Sequence, residues 1–163
     1  IMRDGRTPVS PGVYTRLLRD GSFNGPIMSD TEAEVWDIDP LFRRAKGRVL
    51  LNGLGLGVAL KGVLDKPEVT SVDVVEISQD VITLVWPTYE HDPRARIHLG
   101  DALTFEWPVG THWDVVWHDI WPTICADHLK DMHVLHRKYG GRAVWQGSWC
   151  RYEMERIASR YGI

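Results

Sequence analysis

Polar and apolar positions change period along this chain, and the changes mark its elements. Five short runs with apolar centres, at 48–52, 70–76, 96–99, 114–118 and 143–146, have the length of strands. Helix-like spacing fills 58–64, the stretch from Ser78 to about Pro87, 123–139 and 151–161. Ser78 is a good N-cap for its helix, with Ile77 and Ile82 placed for a hydrophobic staple. Gly140-Gly141 closes the helix before it. Upstream, Thr31 and Glu34 stand at capping-box spacing, and Asp30 and Glu32 add negative charge near the first turn. Asp39-Pro40 then predicts a fresh start, a second short helix capped by Asp39 and ended by Gly47. Residues 1–28 are rich in Gly and Pro and read as an N-terminal extension or lid, with 13–18 as a short ordered piece. Residues 29–163 read as the main domain. Strands alternating with helices predict an α/β fold with a parallel sheet covered on both faces.

The chemistry starts where the first of these strands ends. In Val49-Leu50-Leu51-Asn52-Gly53-Leu54-Gly55-Leu56-Gly57, apolar residues run straight into three glycines spaced two apart. This is a strand entering a tight turn at which backbone comes close to a ligand. Nineteen residues beyond Gly57, the second strand ends on Glu76, whose carboxylate is suited to both hydroxyls of a ribose. Together these features predict a nucleoside-containing cofactor. The spacing G-x-G-x-G departs from the dinucleotide pattern G-x-G-x-x-G, since Val58 stands where the third glycine would be. A ligand without phosphates tolerates that departure.

Composition narrows the field. With 163 residues the chain has the size of one domain, and its formal charge of −3 comes from interspersed acids and bases. The absence of a basic stripe disfavours nucleic acid, and the cluster at 43–48 suits a cationic helix end. Two cysteines make no disulfide framework, and neither a signal peptide nor a membrane-length apolar run is visible. A soluble, cytoplasmic protein with no membrane role is expected. The chain opens on Ile1 rather than Met, which leaves room for residues upstream.

On these residues the sequence resembles the class I S-adenosylmethionine-dependent methyltransferases over about 28–147. The first motif of that family looks like Leu51–Gly57, its second acidic position matches Glu76, and its adenine-side acid looks like Asp101 in Leu99-Gly100-Asp101-Ala102. The strand motif at 113–119 completes the series. Within the family the chain is most similar to the spermidine-synthase-like branch, at a size met among phage enzymes. The stretch 27–32 also resembles the cofactor-covering segment of small guanidino-group methyltransferases. The resemblance implies a Rossmann-like doubly wound parallel sheet that binds S-adenosylmethionine and releases S-adenosylhomocysteine. It implies cofactor contacts at Asn52, Gly53, Gly55, Gly57, Glu76, Ile77, Asp101 and Ala102. Two departures stand out. Asn52 replaces the usual acidic residue, and five strands are found where the family has seven. The last strands are expected to be missing, leaving either a minimal enzyme or one that completes its site as a homo-oligomer.

Several residues carry two readings. Asp101 either meets the adenine or caps its own turn. Asp119 and His118 fall at the carboxyl end of the fourth strand, where open α/β sheets place ligands. Asp119 either orients a nucleophile or caps a helix starting at Pro122-Thr123, and His118 is the second catalytic candidate. Trp117, Trp121, Trp145 and Trp149, four of eight tryptophans, either stack on an acceptor or a sulfonium or, the favoured reading, fill the core. Cys125, His128, His133 and His136 spread over roughly 140° of helix, so no metal is expected. The function expected is methyl transfer to a small-molecule nitrogen or oxygen nucleophile, with Asp119 and His118 as catalytic candidates. Its rivals are an aminopropyltransferase and a non-catalytic protein that binds the cofactor or a partner.

Overall fold

Val49, Leu50 and Leu51 are shielded on both sides, which places their strand at the centre of the sheet. The computed structural model describes residues 9–20 and 27–162; residues 1–8 and 21–26 of the expected extension, and Ile163, lie outside them. In chain order the elements are β1 (Arg16–Leu17), β2 (Met28–Ser29), α1 (Glu32–Arg44), β3 (Gly47–Asn52), α2 (Val58–Leu64) and β4 (Val69–Glu76). They continue with α3 (Gln79–Val85), β5 (Ala95–Leu99), β6 (Trp113–His118), α4 (Leu129–Tyr139), β7 (Ala143–Ser148) and α5 (Arg151–Tyr161). The main sheet has the order β5-β4-β3-β6-β7 and every pairing in it is parallel. β1 and β2 form a separate antiparallel pair in which Leu17 faces Met28.

Strand alternation distributes side chains to two helical layers. On β6, His118 faces α4, where its ring lies 5.3 Å from that of His136 and 5.4 Å from that of Tyr139. The preceding residue, Trp117, faces the other way, stacked 6.4 Å from Trp145, over which the Arg44 guanidinium of α1 sits at 5.5 Å. Helices thus cover both faces, as the doubly wound pattern requires. One acid, Asp73 of β4, is buried in the α4 layer. It accepts bonds from Trp113 Nε1 at 3.1 Å and Arg96 Nε at 3.0 Å, and His98 Nε2 stands 3.1 Å away. Burial pushes its pKa up, but the bonds from Arg96, Trp113 and His98 together outweigh it and hold the carboxyl below its ordinary value.

Four sequence expectations are corrected. The residues at 32–44 form one helix that runs through Pro40, not two. An interior proline costs about 3 kcal/mol, but Ile38 and Leu41 on either side of it are buried in the core. Tertiary packing therefore overrides the local stop, and Asp39 pairs with Arg43 at 2.6 Å instead of capping. The capping box does not close either. Glu34 reaches past Thr31 to Ser29, accepting from its amide at 3.0 Å and its hydroxyl at 2.9 Å, which ties β2 to α1. The helix expected over 123–139 begins only at Leu129, after a 3-10 turn at Ala126–His128, because Cys125 is extended (φ −142°, ψ 138°). Ser78 does cap α3, accepting from the Val81 amide at 3.4 Å, but its intended staple partner Ile77 is 68% exposed.

Candidate functional site

A cavity of about 830 Å³ lies across the carboxyl ends of β3, β4, β5 and β6. Chain direction explains its position. β3 leads to β4 on one side and has β6 on the other, so the loops after β3 and β6 diverge and leave a crevice. Gly53 sits in that crevice at φ +107°, where any Cβ would run into the carbonyl oxygen of Asp119. The first glycine of the turn is therefore demanded by backbone meeting backbone.

Of the residues singled out from sequence, Gly53, Gly55, Glu76, Ile77, Asp101, Ala102 and Asp119 line this cavity. Glu76 is buried, and its carboxylate braces the site. Oε2 accepts from the Leu54 amide and Oε1 from the Ser78 amide, each at 2.9 Å. One side chain thus ties the glycine turn to the start of α3. Each of its oxygens can accept a second bond. Asp101 turns its own loop, with Oδ1 accepting from the Leu103 amide at 2.9 Å, so the capping reading is realised on the cavity wall. The same loop is held from behind by Lys138, whose ammonium donates to the carbonyls of Ala102, Leu103 and Phe105 at 3.0, 3.2 and 2.5 Å. Asp119 has no helix start to cap at Pro122-Thr123, since α4 begins at Leu129.

Asn52, Gly57 and His118 are placed elsewhere. Asn52 and His118 are fully buried on the α4 face, on the opposite side of their strands from the next residue in the chain, which does line the cavity. Asn52 Nδ2 donates to His118 Nδ1 at 2.9 Å, and His118 Nε2 lies 3.2 Å from Gln146 Oε1, an acceptor only. The imidazole is accordingly neutral with its proton on Nε2. Burial pushes its pKa down to about 3, with the bond to Gln146 acting in the other direction. Such a ring neither reaches the cavity nor takes up a proton at neutral pH, which removes it from the catalytic candidates. The chain of bonds goes on, from Gln146 Nε2 to the His136 carbonyl at 2.9 Å and from His136 Nε2 to Ser148 Oγ at 2.8 Å. Burial and then the Arg151 guanidinium lower His136 to about 4. Gly57 is covered by Tyr89, whose hydroxyl donates to the Gly57 carbonyl at 3.1 Å and whose ring stands where a Cβ would go.

Other wall residues escaped the sequence reading. Leu17, Leu18, Ile27 and Met28 come from β1, β2 and the residues beside them, in stretches read only as a lid and a cofactor-covering segment, with no side chain singled out. Of the four tryptophans, Trp117, Trp121 and Trp149 are core, and only Trp121 also reaches the cavity. Among the described residues no group of three His, Cys, Asp or Glu side chains converges as for a metal, and no helix is long and apolar enough to cross a membrane.

No protein-family model and no curated protein matches the chain. Solved structures do. A Pyrococcus horikoshii protein assigned as an RNA methyltransferase superposes with a TM-score of 0.53 at 17% identity, over 79% of this chain and 64% of its own length. The N-methyltransferase NodS of Bradyrhizobium japonicum superposes with a TM-score of 0.51 at 12% identity, over 69% of this chain and 61% of its own. The chain thus spans less than two thirds of either neighbour. What the chain shares with both is the fold, a Rossmann-like α/β backbone, here with five parallel strands among the described residues.

Proposed function

We propose that the protein binds S-adenosylmethionine in this cavity and transfers its methyl group to a small nitrogen or oxygen nucleophile. The observation that carries the reading is the convergence of Gly53, Glu76, Asp101 and Asp119, from four different strand ends, on one cavity. The residues fit the cofactor. Glu76 keeps acceptor capacity on both oxygens after bracing the Leu54 and Ser78 amides, as a pair of ribose hydroxyls needs. Ile77 leaves an apolar side chain at the cavity wall, a surface for a flat ring. The bound cofactor supplies a methyl group already activated as a sulfonium.

Catalysis then rests mainly on alignment, which can contribute several kcal/mol when the reacting atoms are held in line. Asp119 is the side chain assigned to that work. It lies on the cavity wall at the end of β6, across from the glycine turn, where it can accept a hydrogen bond from an amine, guanidine or hydroxyl and direct its lone pair. Calorimetric titration with S-adenosylmethionine and S-adenosylhomocysteine, with NAD as control, tests the cofactor. Binding of both sulfur nucleosides, abolished in Glu76→Ala, supports the reading, whereas a protein that ignores them or prefers NAD refutes it. Turnover screens over amine, guanidine and phenol acceptors, with decarboxylated cofactor alongside, test the reaction.

A further inference from the structure

The cavity stops short along the glycine turn. Gly53, Leu54 and Gly55 line it, whereas Leu56 and Gly57 do not. Tyr89 accounts for Gly57, and Met28, which also crowds Gly55, accounts for Leu56. The Leu56 amide donates to Met28 Sδ at 3.3 Å. Gly55, at φ +52°, lacks room for a Cβ because the same sulfur would meet it. Met28 itself is buried and lines the cavity. A backbone donor next to the space assigned to the cofactor is thus held by a thioether.

That partnership is unusually easy to break. A thioether is a weak acceptor, so an oxygen ligand that reached the same amide would outbid it. The methionine side chain is unbranched and has three rotatable bonds, so the sulfur can leave while the backbone of β2 stays paired. We infer that Met28 is a displaceable stopper: an oxygen acceptor on the bound ligand takes over the Leu56 amide, and the thioether swings out of the turn. The inference rests on the cofactor reading above and adds a control on affinity to it. Each binding event repays the loss of the thioether contact, which lowers apparent affinity by the fraction of molecules in which the turn is open. Met28 is a specificity-determining residue on this account, since a ligand lacking a suitably placed oxygen has nothing to exchange for the sulfur.

The test compares S-adenosylhomocysteine binding by the wild-type protein, Met28→Leu and Met28→Ala. Leucine keeps the bulk and deletes the acceptor; alanine deletes both. Both variants are expected to bind about two- to threefold more tightly, the low end of the worth of one net hydrogen bond, provided thermal melts confirm that each is folded. Met28→Leu guards against loss of fold in the smaller variant. A second readout uses protein labelled with ¹³C at the methionine methyls, of which there are four. The Met28 resonance, assigned by its absence from Met28→Leu, is expected to shift and sharpen on ligand addition. Repeating the titration with 5′-methylthioadenosine locates the oxygen: a gain that persists assigns it to the ribose, and a gain that vanishes assigns it to the carboxylate. Wild-type binding that the variants leave unchanged or weaken overturns the stopper and spares the cofactor reading. Failure of all three proteins to bind overturns both.

Discussion

Asn52 and His118 end neighbouring strands at the same register level, and the Asn52 amide donates to His118 Nδ1 at 2.9 Å with both residues fully buried. The position where the resemblance leads one to expect an acidic cofactor contact is thereby committed to the interior. Its departure from that pattern has a local partner. A carboxylate could not donate to Nδ1, while the amide does, and it keeps the ring neutral with its remaining proton directed at Gln146.

Breaking that pair is expected to cost stability without touching the cavity. Asn52→Leu strands the buried His118 Nδ1, at about 1–3 kcal/mol for one unsatisfied acceptor. Urea unfolding at pH 7 should show a lower midpoint with an unchanged slope, and ligand affinity in the folded protein should stay at the wild-type level.

The same histidine sets a pH dependence whose sign follows from linkage. Its folded pKa, about 3, lies below its ordinary 6.5, so between these values the unfolded chain binds more protons. The stability it contributes is fully present above pH 6.5 and is lost as pH falls. The slope expected from one such group is about 1.4 kcal/mol per pH unit. His136, lowered to about 4, adds in the same direction. Asp73, with a folded pKa below its ordinary 3.8, enters only in stronger acid. Unfolding free energies measured from pH 7 to 4.5 should fall steadily, and His118→Phe should flatten the decline whatever its effect at pH 7. A wild-type curve level across that range would show that the ring is not buried as a neutral group.

Lys138 gives a third expectation. Its three ammonium donors are all spent on carbonyls of the loop that carries Asp101. Lys138→Met leaves those carbonyls short of a donor and should lower stability by about 1–3 kcal/mol. It should also loosen the cavity wall, so that cofactor affinity falls further than stability alone accounts for. Lys138→Arg should restore stability in part and affinity less, because a planar fork cannot meet three carbonyls converging on one point. Paired melts and titrations separate the two effects.

Asp119 should behave differently. Asp119→Asn preserves shape and removes the charge proposed to direct the nucleophile. Cofactor binding is expected to hold while methyl transfer falls by about 100-fold or more. Equal turnover by mutant and wild type would remove Asp119 from the reaction.

Much of the frame could be read before folding because it depends on residues close together in the chain. A valine- and leucine-rich run has to be a buried strand, and Gly53 marks the turn after it. Ser78 caps its helix through a bond to Val81, three residues on. Glu76 could be placed for a related reason, since it ends the strand beside the turn, and any parallel pairing of those two strands brings its carboxylate to the turn's amides.

Other features lie where distant segments compete for one residue. Local rules split α1 at Pro40, but the core gained by burying Ile38 and Leu41 kept it whole. Spacing offered Gly55 and Gly57 to a ligand, whereas Met28 and Tyr89, from 27 and 32 residues away in the chain, occupy the room that both glycines vacate. His118 and Asp119 looked equivalent as neighbours at a strand end. Alternation across β6 sends one into the α4 layer and the other into the cavity. The sequence by itself determined the succession of strands and helices, the glycine turn and the acid beside it, because those rest on local backbone geometry and period. Only the tertiary structure decided which carboxylates share a cavity, which histidine is inert and what covers the glycines, because burial and contact belong to pairs of residues that the chain keeps far apart.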